Sequence, residues 1–101
     1  MDIQAEIRHF LTPEGKLTQC PSKRKKQICI AFYLAGKLDA EKTYTEPELN
    51  DAINAWTIFR DPATLRRDMV DLGLVTRENN GRAYALIPGE PNLERIDDLV
   101  K

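Results

Sequence analysis

Apolar residues at the start of the chain are spaced as in a helix. They recur every three or four positions, which places them on one helical face. These residues are Ile3, Ile7, Phe10 and Leu11. The pattern predicts a short amphipathic helix that ends near the Thr12-Pro13 step, with a turn at Gly15 and a brief extended stretch after it.

A second helix is predicted from residue 23 to residue 38, with Ser22 as its N-cap and Gly36 near its end. Its middle, ICIAFYLA, is apolar on every side, whereas a surface helix has a single apolar stripe. This segment must therefore be covered on every side. The predicted N-terminal helix is one candidate for the second cover, and a second subunit is the other.

Two more helices joined by a short link are predicted in residues 45–72. Thr45 and Glu48 have the spacing of a capping box, and Asp61 followed by Pro62 is typical of a helix start. The link is expected at residues 58–60, and Gly73 suits the end of the later helix. The apolar stripes are Leu49, Ala52, Ile53 and Trp56, then Leu65, Met69 and Leu72. Two helices joined in this way make a helix-turn-helix.

Short strands are predicted on both sides of these helices. Thr43-Tyr44 is β-prone, and residues 74–78 and 82–87 are joined by Asn79-Asn80-Gly81, a strong hairpin signal. A last amphipathic segment, residues 91–100, predicts a short C-terminal helix. The expected fold class is α+β. It is a winged helix-turn-helix, with a three-helix core, a C-terminal β-hairpin wing, an extra N-terminal helix and the short C-terminal helix.

The length of 101 residues predicts one domain. Its parts are an N-terminal helix and arm (1–19), a core (20–87) and a C-terminal segment (88–101). No apolar run approaches the roughly 18 residues that a membrane span needs. The start, MDIQAEIRHF, lacks the pattern of a secretory signal, so a soluble, cytoplasmic protein is expected.

The charge distribution gives only a weak basic signal. The formal net charge is −1. Residues 20–86 hold eleven Lys or Arg against nine Asp or Glu, a balance of +2, and the flanks hold four against seven, a balance of −3. Dedicated nucleic-acid binders usually have a stronger basic footprint.

Metal and catalytic chemistry have little support in the sequence. Cys20 and Cys29 form no C-x-x-C pair and His9 is the sole histidine, so neither a metal nor another cofactor is expected. Cys29 lies in an apolar run and is interpreted as a core residue. No phosphate-binding glycine loop or nucleophile elbow is present, and the chain is not expected to be an enzyme.

The later helix of the helix-turn-helix carries the first candidate contacts with DNA. At 100° per residue, Arg67 lies about 200° from Leu65 and points away from the core, while Arg66 lies on the flank. Thr64 belongs to the same candidate set. The alternative is that both arginines pair with Asp68 and Asp71 on the helix surface.

Two further groups of cations are candidates. Four cations in the first turn of the second helix oppose its dipole, which is a locally unfavourable choice. They are Lys23, Arg24, Lys25 and Lys26. They would form either a phosphate-facing patch or a solvated helix end whose lysine stems cover apolar surface. In the wing, Arg77 and Arg82 flank the tip, and pairing with Glu78 would equally explain Arg77.

Five blocks of the sequence, in order, resemble a known bacterial family. They are GKL, PSKRKKQ, TYTEPELN, TLRRDMVDLGLVTRE and GRAYAL, within residues 15–86. They are similar to the bacterial domain-of-unknown-function family numbered two thousand and eighty-seven. The resemblance implies a winged-helix-like domain, found alone or fused to helix-turn-helix regulators, without an established activity. Pro62 and Ala85 stand where the family pattern usually has an aromatic residue.

Two functions are therefore expected as alternatives. The first is a transcription-regulatory protein that contacts double-stranded DNA through the third core helix and the wing. Because one module of this size buries limited DNA surface, a homodimer is then expected, formed through the apolar helix or the C-terminal segment. The second is a non-catalytic module on the same scaffold that binds a protein partner.

Overall fold

A computed structural model describes residues 3–78 and 83–86. In chain order the elements are helix α1 (Ile3–Ile7), a 3₁₀ helix (Arg8–Phe10), α2 (Arg24–Ala35), β1 (Thr43–Tyr44), α3 (Glu46–Asn54), α4 (Pro62–Asp71), β2 (Val75–Glu78) and β3 (Ala83–Leu86). The expected mixed α+β class is confirmed. The predicted C-terminal helix and the Asn-Gly tip lie outside the described residues.

The three strands form one small antiparallel sheet in the order β1-β3-β2. Thr43 and Tyr44 of β1 pair with Ala85 and Tyr84 of β3, and Arg77 of β2 pairs with the other edge of Tyr84. This register places the side chain of Tyr84, which is buried, at the centre of the sheet. The short β-prone segment predicted before α3 is thus the third strand of the hairpin's sheet.

The apolar middle of α2 is covered entirely within one chain. Every residue from Ile28 to Ala35 is buried, and α1 and α4 both pack against this helix. Ile7 of α1 is fully buried in the same core. Of the two covers expected from the sequence, the N-terminal helix is the one observed. Residues 28–35, which we call the α2 girdle, are thus buried within one chain.

The start of α2 differs from the expectation. Lys23 occupies the N-cap position without a side-chain hydrogen bond, so the prediction that Ser22 caps the helix is wrong. The amide Nε2 of Gln27 reaches back instead and donates to the carbonyl oxygens of Pro21, at 3.0 Å, and Ser22, at 3.4 Å. The turn before the helix is therefore held by a side chain from within the helix.

The link between α3 and α4 is also longer than predicted. Helix α3 ends at Asn54, so Trp56 is not on it, and residues 55–61 make the connection. The reason is a backbone pairing with the N-terminal arm. Leu17 N donates to Trp56 O at 2.7 Å, and Ile58 N donates to Leu17 O at 2.9 Å. These hydrogen bonds draw the chain away from the helical path.

The same arm is fixed to α2 by a small aromatic cluster. Gly15 has a φ of +86°, and its carbonyl accepts a hydrogen bond of 2.8 Å from the Tyr33 hydroxyl. Lys37 Nζ lies 5.0 Å from the centre of the Tyr33 ring and 4.5 Å from that of Trp56. Such cation–π contacts tie the end of α2 to Trp56, just after α3.

The starts and stops of α3 and α4 follow the sequence pattern. Thr45 Oγ1 accepts from Glu48 N at 3.2 Å, and Thr45 N donates to Glu48 Oε1 at 2.9 Å, so the capping box is confirmed. Asp61 caps α4 through a bond from Thr64 N. Gly73 ends α4 with a φ of +73°. The predicted stripe of α4 is buried, as Leu65, Met69 and Leu72.

Candidate nucleic-acid interface

A groove of about 530 Å³ lies between α4, the start of α3 and the β2–β3 hairpin. Its walls are Glu46, Ala63, Thr64, Arg66, Arg67, Val70, Asp71, Arg77 and Tyr84. Four of the residues predicted from the sequence to contact DNA are thus brought together: Thr64, Arg66, Arg67 and Arg77. Arg82 lies outside the described residues. We call this feature the α4–hairpin groove.

Arg67 and Arg77 are the exposed cations of the groove. Within residues 3–78 and 83–86, neither takes part in an ion pair. The alternative pairing of Arg67 with Asp68 or Asp71 is therefore not made, and Glu78 accepts from the Thr76 hydroxyl at 3.3 Å instead of pairing with Arg77. As far as the described residues go, both guanidinium groups keep all five N–H donors for a ligand.

The Arg66 side chain is held by contacts within the protein. Its Nη2 lies 2.9 Å from Glu46 Oε1, its Nη1 donates to Asn50 Oδ1, and its guanidinium carbon lies 5.9 Å from the centre of the Tyr84 ring. Only 19% of its side chain is exposed. Arg66 therefore joins α4 to α3 and to the sheet. Its partners lie on these other elements and not on α4 itself.

The three partners of Arg66 are not among the candidate residues predicted from the sequence. Glu46 and Asn50 are one helical turn apart and so share a face of α3, which was the available signal. That face could be matched to Arg66 only after the packing of α3 on α4 was known. Tyr84 carried no comparable signal, because its position depends on the strand register.

The cation run at the start of α2 lies away from the α4–hairpin groove. Lys26 Nζ is 2.7 Å from Glu6 Oε2 and 2.7 Å from the Glu6 carbonyl oxygen, and Lys25 Nζ is 3.5 Å from Glu6 Oε1. The hydrogen bond from Lys26 lowers the pKa of the Glu6 carboxyl. These two lysines fasten α1 to α2, while Lys23 and Arg24 are exposed.

Charged groups also meet where α2 approaches α4. Burial raises the pKa of the Asp68 carboxyl above its usual range, against the opposing effect of Arg24. Partial burial of the sulfur raises the pKa of the Cys20 thiol, and Asp68 and Asp61 raise it further. The thiol therefore stays protonated at neutral pH, and a protonated thiol is a poor nucleophile.

The burial of Asp68 predicts that Asp68→Asn raises the free energy of unfolding at neutral pH, because ionised Asp68 is less stable in the folded chain than in water. The gain should be absent below about pH 3, where the carboxyl is mostly protonated in both states. It should grow as the pH rises from the unfolded to the folded pKa and stay constant above that. Urea unfolding across this pH range measures it.

The matched control for this variant is Asp51→Asn, at an exposed position of α3. It removes the same charge without removing a carboxyl from the contact between α2 and α4. An Asp68→Asn protein that is no more stable than wild type at pH 7, or whose gain does not fade in acid, would contradict the prediction.

Residues 3–78 and 83–86 contain no group of three or more His, Cys, Asp or Glu side chains placed to hold a metal ion. The helices among these residues are all too short or too polar to span a lipid bilayer.

Comparison with known proteins gives a family and no closer relative. No curated protein and no solved structure is significantly similar to the chain. Residues 16–86 match the model of a family described as "Uncharacterized protein conserved in bacteria (DUF2087)". The match spans more than two thirds of the 101 residues and includes the whole α4–hairpin groove. The chain therefore belongs to the bacterial family DUF2087, as its sequence blocks indicate.

Proposed function

We propose that this protein binds double-stranded DNA through the α4–hairpin groove and acts in bacterial transcription regulation. In this proposal the fold is a winged helix-turn-helix, with α2, α3 and α4 as the three-helix core and the β2–β3 hairpin as the wing. The observation that carries it is the convergence of two exposed, unpaired arginines from different elements, Arg67 and Arg77, on one groove within the described residues.

The dimensions of α4 support this assignment. A helix with side chains is about 10–12 Å wide, and the major groove of DNA is about 12 Å wide. Arg67 is exposed on the side of α4 away from its buried stripe, where a helix in the major groove would face the bases, and Thr64 is exposed on the flank. Arg77 on the adjoining strand would then lie near the phosphates that border the groove.

Salt-dependent binding tests the proposal. A fluorescently labelled duplex of mixed sequence is titrated with the protein, and anisotropy is followed at several salt concentrations. We expect affinity to fall steeply with salt, and Arg67→Ala combined with Arg77→Ala to weaken binding at least about tenfold. The double variant should also make the slope of log affinity against log salt shallower, by roughly 0.9 for each phosphate that it no longer neutralises.

The control is the double variant Arg8→Ala with Lys16→Ala. It removes two exposed cations as well, but neither residue lines the α4–hairpin groove. Its affinity should stay close to wild type. Equal losses in the two double variants would contradict a specific role for the groove, and a flat titration of wild type at low salt would contradict DNA binding altogether.

We infer a second candidate function from the carboxylates of the same groove. Glu46 and Asp71 line it together with the arginines, and a surface of mixed charge suits a protein partner better than a polyanion. A non-catalytic protein-interaction module is the function that a flat DNA titration would favour.

A homodimer remains part of the DNA-binding proposal, since one small module buries limited DNA surface. With the α2 girdle buried inside one chain, the C-terminal segment, residues 88–101, is the remaining candidate for its interface.

A further inference from the structure

Asp71 stands out among the residues of the α4–hairpin groove. It follows Arg67 by four residues, which places the two side chains within about 40° of each other on α4. Both are exposed, and in the described part of the chain they form no ion pair with each other. A free carboxylate on a surface that binds phosphates is unfavourable. Locally unfavourable choices of this kind are found where function requires them.

Base edges in the major groove provide a chemical reason for such a carboxylate. An arginine donates two parallel hydrogen bonds to O6 and N7 of guanine, and a carboxylate accepts from the N4 amino group of cytosine. Four residues of helix span about 6 Å, which is close to two base-pair steps of about 3.4 Å. Side chains four residues apart on α4 can therefore reach base pairs one or two steps apart.

We propose that Arg67 and Asp71 determine sequence specificity, with Arg67 selecting guanine and Asp71 selecting cytosine one or two base pairs away. This inference rests on the proposed DNA-binding function. Arg66 is excluded from base contact, because Glu46, Asn50 and Tyr84 already hold its guanidinium. The preferred site thus contains a guanine and a cytosine at a fixed short spacing.

Selection of bound sequences from a randomised duplex tests the assignment. Wild type should enrich one guanine and one cytosine at a fixed spacing, each by about tenfold over the other bases. Asp71→Asn should keep the guanine and change the cytosine to adenine, because an amide bonds the N6 and N7 edge of adenine. Arg67→Ala should lose the guanine and keep the cytosine. A purely structural role of Asp71 or Arg67 would explain neither the change from cytosine to adenine nor the selective loss of guanine.

The control is Asp51→Asn, which removes the same charge from an exposed position outside the groove and should leave the selected sequence unchanged. Salt-dependent binding without base preference, or identical selection by wild type and Asp71→Asn, would overturn this inference and leave the proposed function standing. No binding by wild type at low salt would overturn both.

Discussion

Ile7→Ala is expected to lower the free energy of unfolding by about 3 kcal/mol, within the roughly 2–5 kcal/mol typical of large-to-alanine changes in a core. Ile7 is fully buried and belongs to the same cluster as the apolar residues of α2. Its truncation removes buried apolar surface and leaves a cavity between α1 and α2. Urea unfolding followed by circular dichroism measures the change.

The matched control for Ile7 is Ile3→Ala, one turn earlier on α1. Ile3 packs against the core but is only partly buried, so about 1 kcal/mol is expected there. If both variants lost less than about 1 kcal/mol, α1 would contribute little to the fold and the cover of α2 would have to come from elsewhere. The result therefore decides whether the N-terminal helix is an integral part of the domain.

Arg66→Ala is expected to lower the free energy of unfolding by about 2 kcal/mol, because hydrogen bonds to charged groups contribute about 1.5–3 kcal/mol. The change also exposes part of Tyr84 and leaves Asn50 Oδ1 without its donor. The ion pair with Glu46 is expected to add little to this free energy, since 48% of the Glu46 side chain is exposed to solvent. The same urea experiment measures this loss.

Two controls separate the effect of the two simultaneous contacts of the Arg66 guanidinium from the effect of its charge. Arg67→Ala removes an exposed arginine from the next position and should change stability by less than about 0.5 kcal/mol. Arg66→Lys retains the charge but cannot reach Glu46 and Asn50 at once, so it should recover only part of the loss. Equal stability of the two alanine variants would show that Arg66 is no more structural than Arg67.

The features that could be predicted from the sequence are those set by neighbouring residues. The capping box of Thr45 and Glu48, the Asp61 cap and the stop at Gly73 each depend on a few consecutive positions, and all three are observed. The errors lie where distant segments meet. Leu17 pairs with the segment after α3 and ends that helix early, and a pairing over such a separation leaves no local pattern.

The candidate site shows the same division. The exposure of Arg67 follows from helical periodicity alone, and the structure agrees. The commitment of Arg66 to Glu46 and Asn50 does not follow, because it requires the packing of two helices. The lysines at the start of α2 are the clearest case: an apparent phosphate-facing run includes two side chains that bind Glu6 of α1.

The cluster of Trp56, Lys37 and Tyr33 has a spectroscopic consequence. Trp56 is the only tryptophan of the chain and lies where the N-terminal arm meets the end of α3, outside the α4–hairpin groove. Its ring lies beside an ammonium group at 4.5 Å, so its emission depends on whether that contact is intact. The protein thus carries an intrinsic fluorophore that reports the contact between the end of α2 and the segment after α3, at a place outside the groove.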